Sequence, residues 1–282
     1  MPLTHLVIHA AVRGFADALG VSGTAHELAL GLWVKAPDPA GFAGAVGLGT
    51  GVAVVVALRA RLFPVLSEGA RALGRPSSFL SSARAREALS VVWIAVVSGL
   101  LGFGLRQAGA APPPSARAVA IGLGVTGFAL FCGAFLSNTR GESSARRATR
   151  AGGVGFSDVP TLVGATLAGA AHAFGVWPGV SRVGAAAAVL LAIGVRPARS
   201  LELALMATVP FFWLELVAAE PPGSPLGKGQ ALLVVMFAFF GGLGAVGALR
   251  ALLSRRALAA LPLWMLPLAC AIFAFGRAVQ TP

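Results

Sequence analysis

Two short stretches of this chain carry side chains that could bind an anion and act on it. The polar residues of the first stretch, RGFADALGVSGTAH at 13–26, are Arg13, Asp17, Ser22, Thr24 and His26. The second, WPGVSRVGAAAA at 177–188, places Ser181 beside Arg182. A guanidinium binds phosphate or carboxylate oxygens in pairs, an imidazole exchanges a proton near neutral pH, and a hydroxyl can serve as a nucleophile. Together these residue types predict a site for a phosphate or a carboxylate.

The composition of the chain predicts that these residues lie in a membrane protein. The sequence is 57% hydrophobic and only 11% charged, and its mean hydropathy is +0.83, whereas soluble domains are about 25% charged. Several apolar runs approach the roughly 20 residues that a helix needs to cross a bilayer, and the short alternating segments of a β-barrel are not seen. We therefore expect one all-α polytopic membrane domain over residues 1–282.

The net charge of +12 comes from arginines that cluster in short connections between the apolar runs. This pattern is typical of cytoplasmic loops, so nucleic acid is not an expected partner. The connections 59–87, 138–157 and 251–257 are predicted to be cytoplasmic. The nearly neutral connections 34–40, 107–117 and 220–228 are predicted to face outward.

Six spans follow from this reading, near 41–58, 89–106, 118–137, 201–219, 229–250 and 258–277. The segments 1–33 and 158–195 do not fit, because glycine, proline, serine and charged residues interrupt each of them near its middle. Counting the crossings leaves both ends of 158–195 on the cytoplasmic side. The two halves of 1–33 would rise only about 18 Å and 15 Å, too little to cross about 30 Å of hydrocarbon singly. Both segments are therefore predicted to be re-entrant helical hairpins.

Both predicted hairpins carry the same tripeptide at the break, Gly-Val-Ser, at 20–22 and at 179–181. Three spans separate them, so they would enter the membrane from opposite faces as parts of an inverted repeat, about 1–137 and 158–282. Irregular backbone in a membrane must be buried in protein or line a cavity, and the first amides of a helix can bind an anion. The ligand site is therefore expected where the two breaks meet.

Each candidate residue has a functional and a structural interpretation. An arginine at the depth of Arg182 costs at least about 2.5 kcal/mol unless it faces a cavity and a counter-charge. We expect Arg182 to bind phosphate, with an ion pair to Asp17 or Asp158 as the alternative. His26 is a candidate general acid or base, or else it orients backbone. Glu215 could likewise have an intramembrane role, pair with an arginine, or extend to the outer surface.

The hydroxyl groups and the glycine beside the breaks are further candidates. Ser22, Thr24 and Ser181 are candidates for phosphate contact or for the nucleophile, with Ser22 as the leading nucleophile, and Gly179 is a candidate phosphate contact. Hydroxyls at such positions also commonly cap helices.

The two motifs resemble those of the undecaprenyl-diphosphate phosphatase family, the bacitracin-resistance type of membrane phosphatase. The family motifs, approximately EGLTEFLPVSSTGH and PGxSRSGAT, align with 13–26 and 178–186, and further similarity covers 47–63 and 202–210. The resemblance implies an inverted-repeat fold and a hydrolase that removes the terminal phosphate of the C55 isoprenoid diphosphate carrier. It places this reaction at the outer face of the bacterial cytoplasmic membrane, where the lipid is recycled for peptidoglycan synthesis.

The resemblance also implies a catalytic set and a divalent cation, Mg²⁺ or Ca²⁺. The matching residues are Ser22, Thr24, His26, Ser181 and Arg182. Asp17 keeps a carboxylate on a shorter side chain where the family has its second glutamate, and it is the remaining acidic candidate for the cation. The chain departs from the pattern at Arg13 and Gly23, where the family has glutamate and serine. Arg13 should weaken a cation site and strengthen phosphate binding. The alternative function is therefore a non-hydrolytic binder or transporter of lipid phosphates, and the sequence leaves open whether the chain forms a homodimer.

Overall fold

A computed structural model describes residues 2–31, 41–110, 112–113, 115–147, 156–216 and 226–276. Its helices are α1 (Leu3–Leu19), α2 (Gly23–Gly31), α3 (Phe42–Leu73), α4 (Ser78–Ser81), α5 (Ala83–Gln107), α6 (Ala116–Arg147), α7 (Leu162–Ala173), α8 (Arg182–Ala192), α9 (Pro197–Leu214), α10 (Lys228–Ser254) and α11 (Ala260–Phe275). Residues 32–40, 148–155 and 217–225 are among those outside the described ranges, so the predicted outer connection 34–40 and parts of 138–157 and 220–228 are not described.

The helices confirm the predicted all-α polytopic membrane protein. Four of those described, α3, α5, α10 and the Ala116–Thr139 part of α6, are long and apolar enough to cross a bilayer. Their outward faces carry large apolar side chains such as Leu100, Phe103 and Phe128, each more than half exposed. An exposed apolar surface of this extent is unusual for a soluble monomer and suits contact with lipid.

Helix α3 runs well beyond the span end predicted near residue 58, so the basic connection 59–87 is largely helical. Its buried face continues through Leu62, Val65 and Ala72, which explains why the helix persists among the arginines. Arg61 makes two hydrogen bonds of 2.6 Å to Glu87 on α5. Its Nε also lies 3.3 Å from a carboxylate oxygen of Glu202 on α9. These ion pairs connect α3, α5 and α9 near the basic connection 59–87.

The two interrupted segments form helix pairs, α1 with α2 and α7 with α8. The backbone turns sharply at Gly20 (φ +82°) and Ser22 (φ +70°) in the first pair and at Gly179 (φ +81°) in the second. At the base of the second pair, the Ser157 N–H donates to the Gly194 carbonyl at 3.1 Å, and the Arg196 N–H donates to the Ser157 carbonyl at 2.9 Å. The ends of 158–195 therefore lie side by side, as a hairpin requires.

The two breaks meet in the interior of the bundle. A Cβ atom on Gly184 of α8 would lie 2.4 Å from the Gly20 carbonyl oxygen, and one on Gly122 of α6 would lie 2.2 Å from the Pro178 carbonyl oxygen. Only glycine allows the backbones to approach this closely. Gly122 therefore serves close packing of α6 against the second break.

Candidate functional site

A cavity of about 660 Å³ lies between the two breaks. Its polar and charged wall residues are His9, Arg13, Asp17, Ser22, Thr24, Glu27, Arg106, Ser115, Trp177, Ser181, Arg182, Thr208 and Glu215. Six of the residues predicted from the sequence are therefore brought together, although they come from two stretches, 13–26 and 177–188, that lie far apart in the chain. Two predicted residues, His26 and Gly179, do not belong to this wall.

Arg13 lies among three carboxylates near the centre of the cavity wall. Its Nη1 donates to Glu27 Oε2 at 2.9 Å. Its Nη2 lies 3.7 Å from Glu215 Oε2, and its Nε lies 3.8 Å from Asp17 Oδ2. The residue is buried, with 8% of its surface exposed. Its positive charge is therefore largely compensated by carboxylates on α1, α2 and the end of α9.

Arg182, the first residue of α8, contacts Glu215, which is one of the three carboxylates around Arg13. Its Nη1 lies 3.6 Å from Glu215 Oε1, and its Cζ lies 5.5 Å from the centre of the Phe211 ring. A Cβ atom on Gly175 would lie 2.0 Å from Arg182 Cγ, so the glycine makes room for this side chain. The carboxylate that contacts Arg182 is thus Glu215, in place of the predicted Asp17 or Asp158.

Asp158 lies in a different charge cluster. Its Oδ1 is 3.4 Å from Arg196 Nε and 3.8 Å from Arg199 Nε. Asp158 therefore pairs with Arg196 and Arg199, and the prediction that it could pair with Arg182 is wrong.

The Asp17 carboxylate packs closely against the backbone of Gly23 at the start of α2. The Gly23 N–H donates to Asp17 Oδ1 at 2.8 Å, so the carboxylate caps the helix. A Cβ atom at position 23 would lie 2.4 Å from the same oxygen. The absence of the serine found in the family pattern thus has a steric reason. The first amide of α2, expected to be available to an anion, is occupied by Asp17.

His26 does not line the cavity, and both its ring nitrogens make hydrogen bonds. Trp264 Nε1 donates to His26 Nε2 at 2.9 Å. An indole nitrogen can only donate, so Nε2 is the acceptor and Nδ1 carries the proton. Nδ1 then donates to the Ser22 carbonyl oxygen at 2.8 Å. In this arrangement His26 orients the strained backbone of Ser22, and its role as an acid or base stays a prediction.

The hydroxyl groups of the two breaks have distinct surroundings. Ser22 Oγ lies 3.1 Å from Thr24 Oγ1, and both residues line the cavity. Ser181 Oγ accepts from the Gly184 N–H at 3.1 Å, which confirms that it caps α8. The Ser181 N–H donates to Thr126 Oγ1 at 3.2 Å. Ser181 Oγ is therefore engaged as a helix cap, whereas Ser22 Oγ contacts the hydroxyl of Thr24.

Gly179 shapes the second break. A Cβ atom there would lie 2.0 Å from the Val119 carbonyl oxygen, and its φ of +81° favours glycine. Its position is that of a turn residue packed on α6.

The sequence reasoning missed several residues near the cavity. Glu27 and Arg106 line it, and a charged residue inside an apolar segment was the signal that could have identified them. His172 is fully buried behind Arg182, with Nδ1 2.7 Å from Ser98 Oγ and Nε2 2.8 Å from Thr208 Oγ1. No local pattern marks this contact, because its members are distant in sequence.

The residues present do not fit the divalent cation implied by the family motif. Across the described ranges, no group of three or more histidine, cysteine, aspartate or glutamate side chains is placed to hold a metal ion. Mg²⁺ and Ca²⁺ require about six or more oxygen ligands at short range. The carboxylates of Asp17, Glu27 and Glu215 instead surround the guanidinium of Arg13.

Together, these features define a multi-pass helical membrane protein with an internal cavity, lined by arginines and carboxylates, between two interrupted helix pairs. The family described as bacitracin resistance protein BacA matches residues 6–271, and the chain belongs to this family. It is similar to a protein of Korarchaeum cryptofilum (strain OPF8) named undecaprenyl-diphosphatase, with 24% identity over 90% of this chain and 92% of the relative. A protein of Clavibacter michiganensis subsp. michiganensis (strain NCPPB 382) with the same name is 27% identical over 91% of this chain and 90% of its own length.

Proposed function

We propose that this protein hydrolyses undecaprenyl diphosphate to undecaprenyl monophosphate in the bacterial cytoplasmic membrane. The observation that carries the proposal is the convergence of Ser22 and Arg182, from two separate helix breaks, on one cavity of about 660 Å³. Both relatives described above are named for this activity. The apolar helices around the cavity suit a substrate with a long hydrocarbon chain.

In the proposed reaction, the guanidinium of Arg182 binds oxygens of the terminal phosphate. The first amides of α8 add the positive end of a helix dipole. Glu215 contacts the same guanidinium, so the substrate shares Arg182 with this carboxylate. If a water molecule beside Ser22 attacks the terminal phosphorus, its proton passes to a phosphate oxygen, the bond to the bridging oxygen breaks and inorganic phosphate forms in one step. If the Ser22 oxygen attacks, its proton passes to a phosphate oxygen, the same bond breaks, and a water molecule then hydrolyses the phosphoserine to inorganic phosphate and free Ser22. The lipid monophosphate leaves with that bridging oxygen.

We further propose that the cavity opens to the outer face of the membrane. Arg106, Pro112 and Ser115 line it, and these residues lie in or beside the connection 107–117 that the charge pattern predicts to be outside. The ion pairs of Arg61 lie among the basic residues predicted to be cytoplasmic. This arrangement supports hydrolysis at the outer face of the membrane.

The test of the proposed activity is phosphate release from undecaprenyl diphosphate by the purified protein, measured with EDTA and with added Mg²⁺ or Ca²⁺. Loss of a nucleophile costs several powers of ten in rate, so Ser22→Ala should lower kcat by about 10³-fold or more if its oxygen attacks phosphorus. Arg182→Lys keeps the charge but loses the paired geometry, and should lower kcat/KM by about 10-fold or more.

Matched controls are Ser67→Ala and Arg250→Lys, at exposed positions outside the cavity. Both should keep the parent activity. Absence of phosphate release by the parent protein in every condition would refute the proposed function.

A non-hydrolytic carrier of lipid phosphates is the second candidate. The observation that favours it is the position of His26, which is outside the cavity wall with both ring nitrogens engaged. This candidate predicts saturable binding of undecaprenyl monophosphate or diphosphate, or its movement across liposomes, without phosphate release. The phosphate-release assay therefore separates the two functions directly.

A further inference from the structure

We propose that the guanidinium of Arg13 takes the place of the divalent cation, so that this protein binds and hydrolyses its lipid diphosphate without a metal ion. The inference rests on the proposed function, because it concerns how the same cavity compensates the charge of its substrate. It also gives a reason for the departure of this chain from the family motif at position 13.

The charges of the cavity wall support this replacement. Three arginines, Arg13, Arg106 and Arg182, face three carboxylates among the described wall residues. A glutamate at position 13, as in the family motif, would change this balance from neutral to two negative charges. The difference between glutamate and arginine is two charges, which is the charge of one Mg²⁺ or Ca²⁺ ion. A cavity with a glutamate at position 13 would need such an ion to accept a diphosphate. This cavity instead carries the positive charge on Arg13 itself.

The geometry places the charge where a cation would bind. The three guanidinium nitrogens of Arg13 lie near three different carboxylates: Nη1 is 2.9 Å from Glu27, Nη2 is 3.7 Å from Glu215 and Nε is 3.8 Å from Asp17. Carboxylate oxygens are the ligands that a hard cation would need, and here they are close to the guanidinium of Arg13 instead. Asp17 is further committed by its hydrogen bond to the Gly23 N–H at 2.8 Å. A divalent ion would have to displace Arg13 and would then lie beside two positive side chains.

The replacement also frees the other cationic groups for the substrate. Glu27 and Asp17 contact Arg13, whereas Arg182 contacts only one carboxylate oxygen through Nη1 among the ion pairs described. Arg182 and Arg106, together with the first turn of α8, then remain to bind the two phosphates. Arg13 thus acts by neutralising and positioning carboxylates, and Arg182 acts on the phosphate.

The first experiment measures phosphate release by the parent protein after exhaustive treatment with EDTA. We expect the rate to stay within about 2-fold of the rate with Mg²⁺ or Ca²⁺, because no transition-state charge is carried by a metal. A metal that stabilises such charge contributes several kcal/mol, so a fall of about 100-fold with EDTA that Mg²⁺ or Ca²⁺ restores would overturn the inference. If phosphate is released in neither condition, the proposed function and metal-free hydrolysis both fail, and the metal-binding experiment decides whether Arg13 takes the place of a cation in the cavity.

The second experiment measures Mn²⁺ binding by electron paramagnetic resonance, without substrate. The parent protein should bind no stoichiometric Mn²⁺, whereas Arg13→Glu should create a site that is lost again when Asp17→Asn is added. Arg250→Glu makes the same change of charge at an exposed position and should create none. Stoichiometric Mn²⁺ binding by the parent protein that Asp17→Asn abolishes would overturn the inference. Because that result concerns the parent protein, it stands even if Arg13→Glu fails to fold.

Discussion

The contact between Asp17 and Gly23 predicts an unusual response to an added methyl group. Alanine at position 23 would place Cβ 2.4 Å from Asp17 Oδ1 and 2.5 Å from its Cγ. The carboxylate would have to move, and its hydrogen bond to the residue 23 N–H, now 2.8 Å long, would break. A buried hydrogen bond to a charged group is worth about 1.5–3 kcal/mol.

The expected loss can be estimated by setting this hydrogen bond against helix propensity. Alanine is favoured over glycine in a helix by about 1 kcal/mol. Gly23→Ala should therefore lower the free energy of unfolding by about 0.5–2 kcal/mol, the difference between the two terms. Gly23→Ser should do the same, so that restoring the serine of the family motif would harm this protein.

The assay is thermal or denaturant unfolding of the purified protein in detergent. Gly247→Ala is the matched control, because Gly247 lies in α10 and its added Cβ would meet no neighbouring atom within 4 Å. This substitution should be neutral or raise stability by up to about 1 kcal/mol. In an Asp17→Ala background the clash is gone, so Gly23→Ala should no longer destabilise. Equal stability of the parent protein and Gly23→Ala would show that this contact does not determine the residue at position 23.

Further predictions concern the groups that support the cavity. Trp264→Phe removes the hydrogen-bond donor to His26 and should lower kcat by about 3-fold or more, which corresponds to about 0.7 kcal/mol in activation free energy. An unchanged kcat would show that the position of His26 does not affect catalysis. Thr126→Val leaves the Ser181 N–H without its acceptor and should cost about 1–3 kcal/mol in unfolding free energy, whereas Thr126→Ser should keep the stability of the parent. Gly175→Ala should displace Arg182 and lower kcat/KM by about 100-fold, while Gly104→Ala, which meets no atom within 4 Å, should leave it unchanged. Glu87→Gln should lower the melting temperature through its contact with Arg61 without changing phosphate release, and a parallel loss of activity would contradict the separation of the two charge clusters.

Much of this protein was predictable because the relevant signals are local. Composition and the length of the apolar runs predicted the all-α membrane bundle, and the interruptions at Ser22 and Ser181 predicted where the helices break. An apolar environment makes every interruption costly, so such interruptions are informative in a membrane sequence. The six cavity residues in the two motifs followed from these breaks. The inverted repeat and the entry of the two pairs from opposite membrane faces stay predictions.

The tertiary structure decided which polar groups meet. Position 13 could be recognised as unusual from the sequence, but its three carboxylate partners come from α1, α2 and the end of α9. The direction of His26 depends on Trp264, which is 238 residues away. Residue type determines which bonds a side chain can form, while the rotation and depth of each helix determine which partner is within reach. For that reason the sequence by itself determined the chemistry available to the site, and only the packed helices decided that Arg13 lies among three carboxylates while Arg182 contacts Glu215.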